Sequence, residues 1–310
     1  MTESHILITG GAGFIGSHLA DLLLDQGARV RVIDNFSTGQ MANLPTTNPR
    51  LEVIDGDVED SSLVCRNMQA ITDVVHLAAV ASVQASVDNP AATHGSNFVS
   101  TLNLLEECRR NNVKRFVFAS SAAVYGNNPA LPLTEDEAPA PLTPYAVDKL
   151  AGEQYIDFYS RQYGLEPVVF RFFNVFGPRQ NPNSPYSGVI SIFNSCFHNE
   201  NEINIFGDGE QTRDFIYVTD LVKILHSGLT ASKVPDGPVN ISTSVSISLN
   251  QVIDAFSKIS NRSLPVNHHP ARPGDIRDSL GDNSRMIQWQ DGCHFTPFED
   301  GLRLLYNSPI

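Results

Sequence analysis

The chain has 310 residues, 41% of them hydrophobic and 18% charged, with a formal net charge of -13. That is the composition of a folded chain long enough for one large domain or two smaller ones, and its acidity argues against nucleic acid and anionic membranes as partners. Any phosphate-bearing ligand must therefore be held by local features against an unfavourable overall field.

No run of about 18 apolar residues occurs, so no membrane span is expected. The N-terminus enters a strand pattern at once, without the profile of a secretory leader. Cys65, Cys108, Cys196 and Cys293 are scattered and form no CxxC. They read as free thiols in a reducing cytoplasm, and no metal spacing is present.

His5-Ile6-Leu7-Ile8-Thr9 is a short apolar run that predicts a buried parallel strand. Gly10-Gly11-Ala12-Gly13-Phe14-Ile15-Gly16 follows, and a helical pattern then runs from Ser17 to Gln26, closed by Gly27. Strand, glycine loop and helix in that order is the context a dinucleotide fingerprint requires. Glycines there permit a tight turn and let backbone N–H groups approach a pyrophosphate at the helix N-terminus. Arg29 to Ile33 supplies a second strand with Asp34 at its end, where a carboxylate accepts from an adenosine ribose and repels a 2′-phosphate.

Leu51–Ile54 predicts a third strand, and Asp57 and Val58 leave its end towards an adenine. Asp73-Val74-Val75-His76-Leu77-Ala78-Ala79 predicts a fourth, running into small residues that suit a close backbone approach to a ligand. His76 reads as a packed strand histidine. A long helix is expected from Ala91 to Asn111, and a fifth strand from Arg115 to Ala119. Ser120 and Ser121 leave the carboxyl end of that strand, the side on which open α/β sheets bind ligands. Asn127 to Thr143, rich in proline and acidic residues, reads as a surface loop.

Thr143-Pro144-Tyr145 then opens a helix to about Tyr163: a hydroxyl cap, a proline suited to the first helical position, and a tyrosine in the first turn. Lys149 lies four residues after Tyr145, on the same helix face. An ammonium and the positive end of the helix dipole both favour phenolate, so Tyr145 is expected to be shifted towards a base at neutral pH. Pro167–Phe172 predicts a sixth strand. The alternation up to here indicates a doubly wound parallel α/β sheet over residues 1–178, and the looser texture of 179–310 a smaller lobe with some segments crossing back. His268-His269, without thiol or acidic neighbours at metal spacing, reads as a solvated loop.

With the glycine loop, Ser121 and Tyr145-x-x-x-Lys149 in place, the chain resembles the extended short-chain dehydrogenase/reductases. Within them it is similar to the nucleotide-sugar 4-epimerases of the UDP-galactose epimerase type. The resemblance covers nearly the whole chain, including Asp34-Asn35-Phe36-Ser37-Thr38-Gly39, His76-Leu77-Ala78-Ala79, Arg171 to Pro178, Phe206 to Gly209, Arg213 to Ile216 and Arg272 to Asp275. It implies a Rossmann domain that holds NAD and a C-terminal lobe that holds a UDP-sugar. Gly10, Gly13, Phe14, Ile15 and Gly16 would serve the pyrophosphate. Asp34, with Asn35, Ser37, Thr38 and Gly39, would serve the adenosine ribose, and Asp57 and Val58 the adenine. Leu77, Ala78 and Ala79 would line the cofactor, and Lys149 would hold the nicotinamide ribose. Tyr145 and Ser121 would meet the sugar 4-hydroxyl. Asn174, Arg213 and Arg272 would bind the diphosphate, and Asp275 a uridine ribose hydroxyl.

Ser279 stands where epimerases confined to UDP-glucose and UDP-galactose typically carry a tyrosine, so the resemblance implies room for an N-acetyl group at C2. Related 4,6-dehydratases carry an Asp-Glu pair just after the catalytic hydroxyl, and related decarboxylases a Glu; here Ala122 and Ala123 cannot move a proton. A homodimer through the helices at about 93–111 and 145–163 is the family expectation.

Overall fold

The computed structural model describes residues 4–182, 188–271, 276–290 and 294–308. Its central feature is a seven-stranded parallel sheet. The strands are β1 (His5–Thr9), β2 (Arg29–Asp34), β3 (Leu51–Asp55), β4 (Asp73–His76), β5 (Arg115–Ser121), β6 (Glu166–Phe172) and, later in the chain, Val239–Ile241. They lie in the order β3-β2-β1-β4-β5-β6 and then Val239–Ile241. The order reverses between β1 and β4, so the crevice at their carboxyl ends is the expected ligand position of a doubly wound sheet. The registers Ile8↔Val32 and Ile8↔Val75 place three β-branched residues side by side in its middle.

The chain forms two compact units. The first takes residues up to Gly126, Ala138–Arg171 and Val222–Val239; the second takes Asn127–Glu137, Phe172–Leu221 and Asn240 onward. The second unit takes up the chain at Phe172, ahead of the texture change expected near residue 178. The first unit is cored by Leu7, Ile33, Val74, Phe116, Phe118 and Ile156, the second by Phe193, Phe197, Ile203, Phe215, Phe256 and Leu302.

Two helices of the first unit matter most. Phe14–Asp25 (α1) follows the glycine loop. Pro144–Tyr163 (α2) begins as anticipated: Thr143 Oγ1 accepts from the Ala146 N–H, Pro144 stands at the first position, and Gly164 ends the helix in the left-handed region at φ +71°. The helix expected over 91–111 is Pro90–His94 and Ser100–Arg110, joined by a wide π-turn at Gly95–Val99.

In the second unit, β7 (Asn174–Phe176), β8 (Ile203–Phe206) and β9 (Thr212–Tyr217) are followed by Val239–Ile241 (β10) of the large sheet, then β11 (Ser246–Ser248) and β12 (Val266–His269). β11, β9 and β7 form a three-stranded sheet, and β12 pairs with β8. Two readings change here. Asn127–Glu137 is more than a surface loop, because Leu133 is buried, its N–H donates to Leu280 O at 2.8 Å, and its carbonyl accepts from the Asp282 N–H at 2.8 Å. His268 and His269 lie on a strand, where their rings meet Gly207 O (2.9 Å) and Asn204 Oδ1 (2.7 Å).

Candidate active site

The glycine loop is built around backbone contact. Gly10 has φ +69°, and a Cβ on it would come within 2.8 Å of Ala78 N. A Cβ on Gly16 would come within 2.3 Å of Gly10 O, so α1 can enter beside the loop only with hydrogen there. Among the described residues no side chain caps α1 at Gly13, and its first turn carries no acid. Its N–H groups and dipole therefore face outward uncompensated, an arrangement that fits a pyrophosphate.

Asp34 ends β2 beside this loop and is nearly buried. Its Oδ2 accepts from the Ala12 N–H and its Oδ1 from the Phe36 N–H, both at 2.9 Å. Each oxygen keeps acceptor capacity for a ribose hydroxyl. Gln40 N–H and Asn43 Nδ2 both donate to Ala12 O, folding the loop back on the glycine turn. Asn35, Ser37 and Thr38 are exposed on it and Gly39 is buried against Ala12. Asn35 Nδ2 donates to Asp57 Oδ2 at 2.8 Å, which joins the loops after β2 and β3, and Val58 is buried beside them.

The loop after β4 is held from beneath by a one-way hydrogen-bond chain. The Ala78 N–H donates to Thr9 Oγ1 (3.2 Å), whose own proton then goes to His76 Nδ1 (2.7 Å). His76 Nε2–H donates to Thr101 Oγ1 (3.0 Å), and Thr101 donates to Asn97 O (2.7 Å). Burial lowers the His76 pKa to about 3, with Lys149 adding to the effect, so the ring is the neutral tautomer this chain requires. Asn97, on the π-turn, accepts from the Val80 N–H at 2.7 Å and donates back to Val80 O. Leu77, Ala78 and Ala79 are thus fixed beside the glycine loop. The sequence offered no sign of Asn97 or Thr101, because Asn97 lies on the π-turn and Thr101 on the helix after it, 17 and 25 residues from their partners Val80 and His76.

Ser121 ends β5, and Tyr145 and Lys149 project from the first turns of α2. Ser121 lies close enough to the Tyr145 hydroxyl to favour its phenolate form. Ser121 Oγ also accepts from the Ala123 N–H at 3.2 Å, which aims it. Lys149 is buried, its Nζ 5.0 Å from the Phe118 ring centroid and 5.9 Å from that of Tyr145. A buried cluster holds α2 to β5 and β6: Arg171 Nε and Nη2 donate to the two Glu153 oxygens at 3.0 and 2.7 Å, Ser120 Oγ donates to Glu153, and Arg171 Nη1 donates to Tyr125 at 3.0 Å.

The expected acidity of Tyr145 is corrected. Burial pushes the phenol above its ordinary value, opposed by the neighbouring Ser121, and burial lowers Lys149 from 10.5 to about 8. Desolvation outweighs the favourable field assumed from helix spacing.

The remaining expected residues lie in the second unit. Asn174 on β7 is the register partner of Phe215 on β9, and Arg213 is two residues before Phe215 on the same face. Arg213 Nη1 donates to Thr212 O (2.8 Å) and Arg277 O (3.1 Å). Ser279 is half-buried, and its N–H donates to Thr212 O at 3.2 Å. Arg272 and Asp275 lie outside the described residues. Among the described residues no group of His, Cys, Asp or Glu is arranged to hold a metal ion, and no helix is long and apolar enough to cross a membrane.

Residues 6–242 match the model of the NAD dependent epimerase/dehydratase family. The chain belongs to that family. A putative UDP-glucose 4-epimerase of Methanocaldococcus jannaschii is 42% identical over 275 residues, covering 87% of each chain. The structure of a UDP-N-acetylglucosamine 4-epimerase from Methanobrevibacter ruminantium M1, in complex with UDP-N-acetylmuramic acid, superposes with a TM-score of 0.93 at 39% identity over 99% of this chain and 98% of that one. A UDP-glucose 4-epimerase of Thermotoga maritima with UDP-glucose gives 0.91 at 37% identity and 97% of both chains. The resemblance to the extended short-chain dehydrogenase/reductases therefore holds, and so does NAD as cofactor. At this level of detail the chain is an NAD-dependent nucleotide-sugar 4-epimerase.

Proposed function

We propose that this epimerase interconverts UDP-GlcNAc and UDP-GalNAc, with weaker turnover of UDP-Glc and UDP-Gal. Tyr145 with Ser121 beside it and Lys149 buried 5.9 Å from its ring supports the chemistry, and a serine at position 279 supports the choice of sugar. The glycine loop, Asp34 and the Leu77–Ala79 loop would hold NAD, which when bound would supply reversible hydride acceptance at the sugar C4. Tyr145 removes the 4-hydroxyl proton and gives it back, and Ser121 shares that proton's hydrogen bond. Tyr145 is buried and weakly acidic in the protein alone. Lys149 orients the nicotinamide ribose. Asn174, Arg213 and Arg272 would hold the diphosphate, where guanidinium groups bind phosphate oxygens even on an acidic protein. Asp275 would take a uridine ribose hydroxyl.

Ala122 and Ala123 follow Ser121 in a tight turn and offer no acid or base, against dehydration and decarboxylation. The names of the Methanocaldococcus and Thermotoga relatives favour a second reading, a UDP-glucose 4-epimerase. Incubating the purified protein with UDP-GlcNAc, UDP-Glc and UDP-GlcA without added NAD, then separating the products, decides between them. Turnover of UDP-Glc with none of UDP-GlcNAc would overturn the first reading.

A homodimer is part of the same proposal. Val147, Tyr155 and Phe158 are exposed along one stripe of α2, and Phe98 meets Tyr155 edge-on at 5.0 Å. A second copy packing on this stripe would cover it.

A further inference from the structure

Asp214 follows the proposed diphosphate ligand Arg213 by one residue, yet it points away from that role. It is fully buried, and its carboxylate accepts four hydrogen bonds. Oδ1 takes the Thr243 N–H at 2.7 Å and the Thr243 hydroxyl at 2.8 Å. Oδ2 takes the Ser244 N–H at 3.0 Å and the Gly281 N–H at 3.3 Å. One side chain thus ties β9 to two separate loops, 243–244 and 279–283.

The second loop is the one that carries Ser279. Next to Thr212, beyond the end of β7, the edge of β9 is occupied by Arg277–Ser279: Thr212 N–H donates to Arg277 O, Ser279 N–H donates to Thr212 O, and Thr212 Oγ1 donates to Asp278 Oδ1 at 2.8 Å. Past Ser279, Ser244 Oγ donates to Gly281 O at 2.7 Å, with Ser244 itself at φ +57°. A Cβ on Gly281 would come within 2.6 Å of Ser242 Oγ and 2.7 Å of Phe173 Cζ, so the backbone is seated close. Ser279 is consequently bracketed by anchors two residues to either side, and the anchor on its C-terminal side ends in the Asp214 carboxylate.

We infer that Asp214 is a positioning residue for sugar selection: its carboxylate sets the place of the Ser279 segment relative to the strand that carries Arg213. The inference rests on the proposed role of Ser279 at the sugar. A carboxylate is the only side chain of this size that accepts from four donors at once. Asp214→Asn keeps the shape, but turns an N–H2 towards the N–H groups of Ser244 and Gly281, or towards Thr243 if the amide flips. In the first case two N–H groups face a donor and the Gly281 anchor is released; in the second the Thr243 hydroxyl can turn to accept, but the Thr243 N–H faces a donor and the carboxylate's charge is lost from all four bonds.

The test measures kcat and KM for UDP-GlcNAc and UDP-Glc on the full-length NAD-loaded protein, for wild type, Asp214→Asn, Thr243→Val and Ser279→Tyr. Thr243→Val removes one bond to Asp214 and covers the case in which Asp214→Asn does not fold. In Asp214→Asn the ratio of kcat/KM for the two sugars should move towards one by about tenfold, the discrimination a few acetamido contacts supply. The change should come through KM, with NAD content and the pH profile of kcat unchanged. Thr243→Val should move the ratio less, in the same direction. A merely structural role would lower the active fraction equally for both sugars. Folded Asp214→Asn, or Thr243→Val where that variant fails to fold, with wild-type ratio and KM overturns the inference. If instead Ser279→Tyr leaves the ratio untouched, the reading of Ser279 falls, and Asp214 is judged on its own KM shift for the accepted sugar.

Discussion

Replacing Lys149 by methionine should stabilise the cofactor-free protein while abolishing its activity. The ammonium is buried, and its pKa falls from 10.5 to about 8 with desolvation as the largest cause. Carrying the charge in the folded state at pH 7 therefore costs about 3 kcal/mol relative to the unfolded chain. Against this stands the contact of Nζ with the Phe118 ring at 5.0 Å, about 2 kcal/mol for a desolvated cation. Methionine matches the length of the stem and fills the same space, so the net gain is about 1 kcal/mol, or about 2–4 °C in Tm for a unit of this size. The sign with pH follows from the depressed folded value. Below about pH 8 both states are charged and the full penalty applies. Between about 8 and 10.5 the folded state sheds the proton first, so wild-type stability rises with pH and the advantage of methionine shrinks. Thermal unfolding of NAD-stripped wild type and Lys149→Met from pH 6.5 to 10.5 checks this. A variant less stable than wild type at pH 7, or a difference independent of pH, would refute the reasoning. Turnover in the same variant should fall by orders of magnitude, as expected where function and stability compete at one residue.

Three further outcomes are expected. Cofactor released by heat from the purified protein should be NAD(H), because Asp34 accepts from two backbone N–H groups and repels a 2′-phosphate; recovery of NADP(H) would remove Asp34 from the ribose site. Tyr145→Phe should lower kcat about 10²–10⁴-fold with substrate binding retained, since it deletes one hydroxyl and leaves Ser121 bonded to the Ala123 N–H; Ser121→Ala should add less than its separate effect, and near-normal turnover of the double variant contradicts the mechanism. Ser279→Tyr should abolish turnover of the N-acetylated pair and spare the plain hexoses, measured by product separation; equal loss on both would show that Ser279 does not set the pocket.

Much of the first unit was legible because its signals are local. The glycine loop, the Thr143–Pro144 start of α2 and the four-residue spacing of Tyr145 and Lys149 each concern a few consecutive residues whose backbone preferences and helix period act at short range. Asp34 was placed for the same reason, since a strand of known length ends where the apolar run ends. What stayed hidden depends on sums over distant parts of the chain. The acidity of Tyr145 went the other way from the spacing argument, because desolvation is set by every group packed round the phenol, and only the fold supplies those groups. The stretch 127–137 has the composition of a surface loop, but the pairing of Leu133 with Leu280 and Asp282 makes it part of the second unit. Asp214 lies in the Arg213–Ile216 stretch that carries the resemblance, but its role stayed hidden because its donors come from residues 243, 244 and 281, far along the chain. The sequence by itself determined the chemistry that local backbone and helix geometry can carry. The tertiary structure decided burial, and with it which charged groups are primed and which loops are held in place.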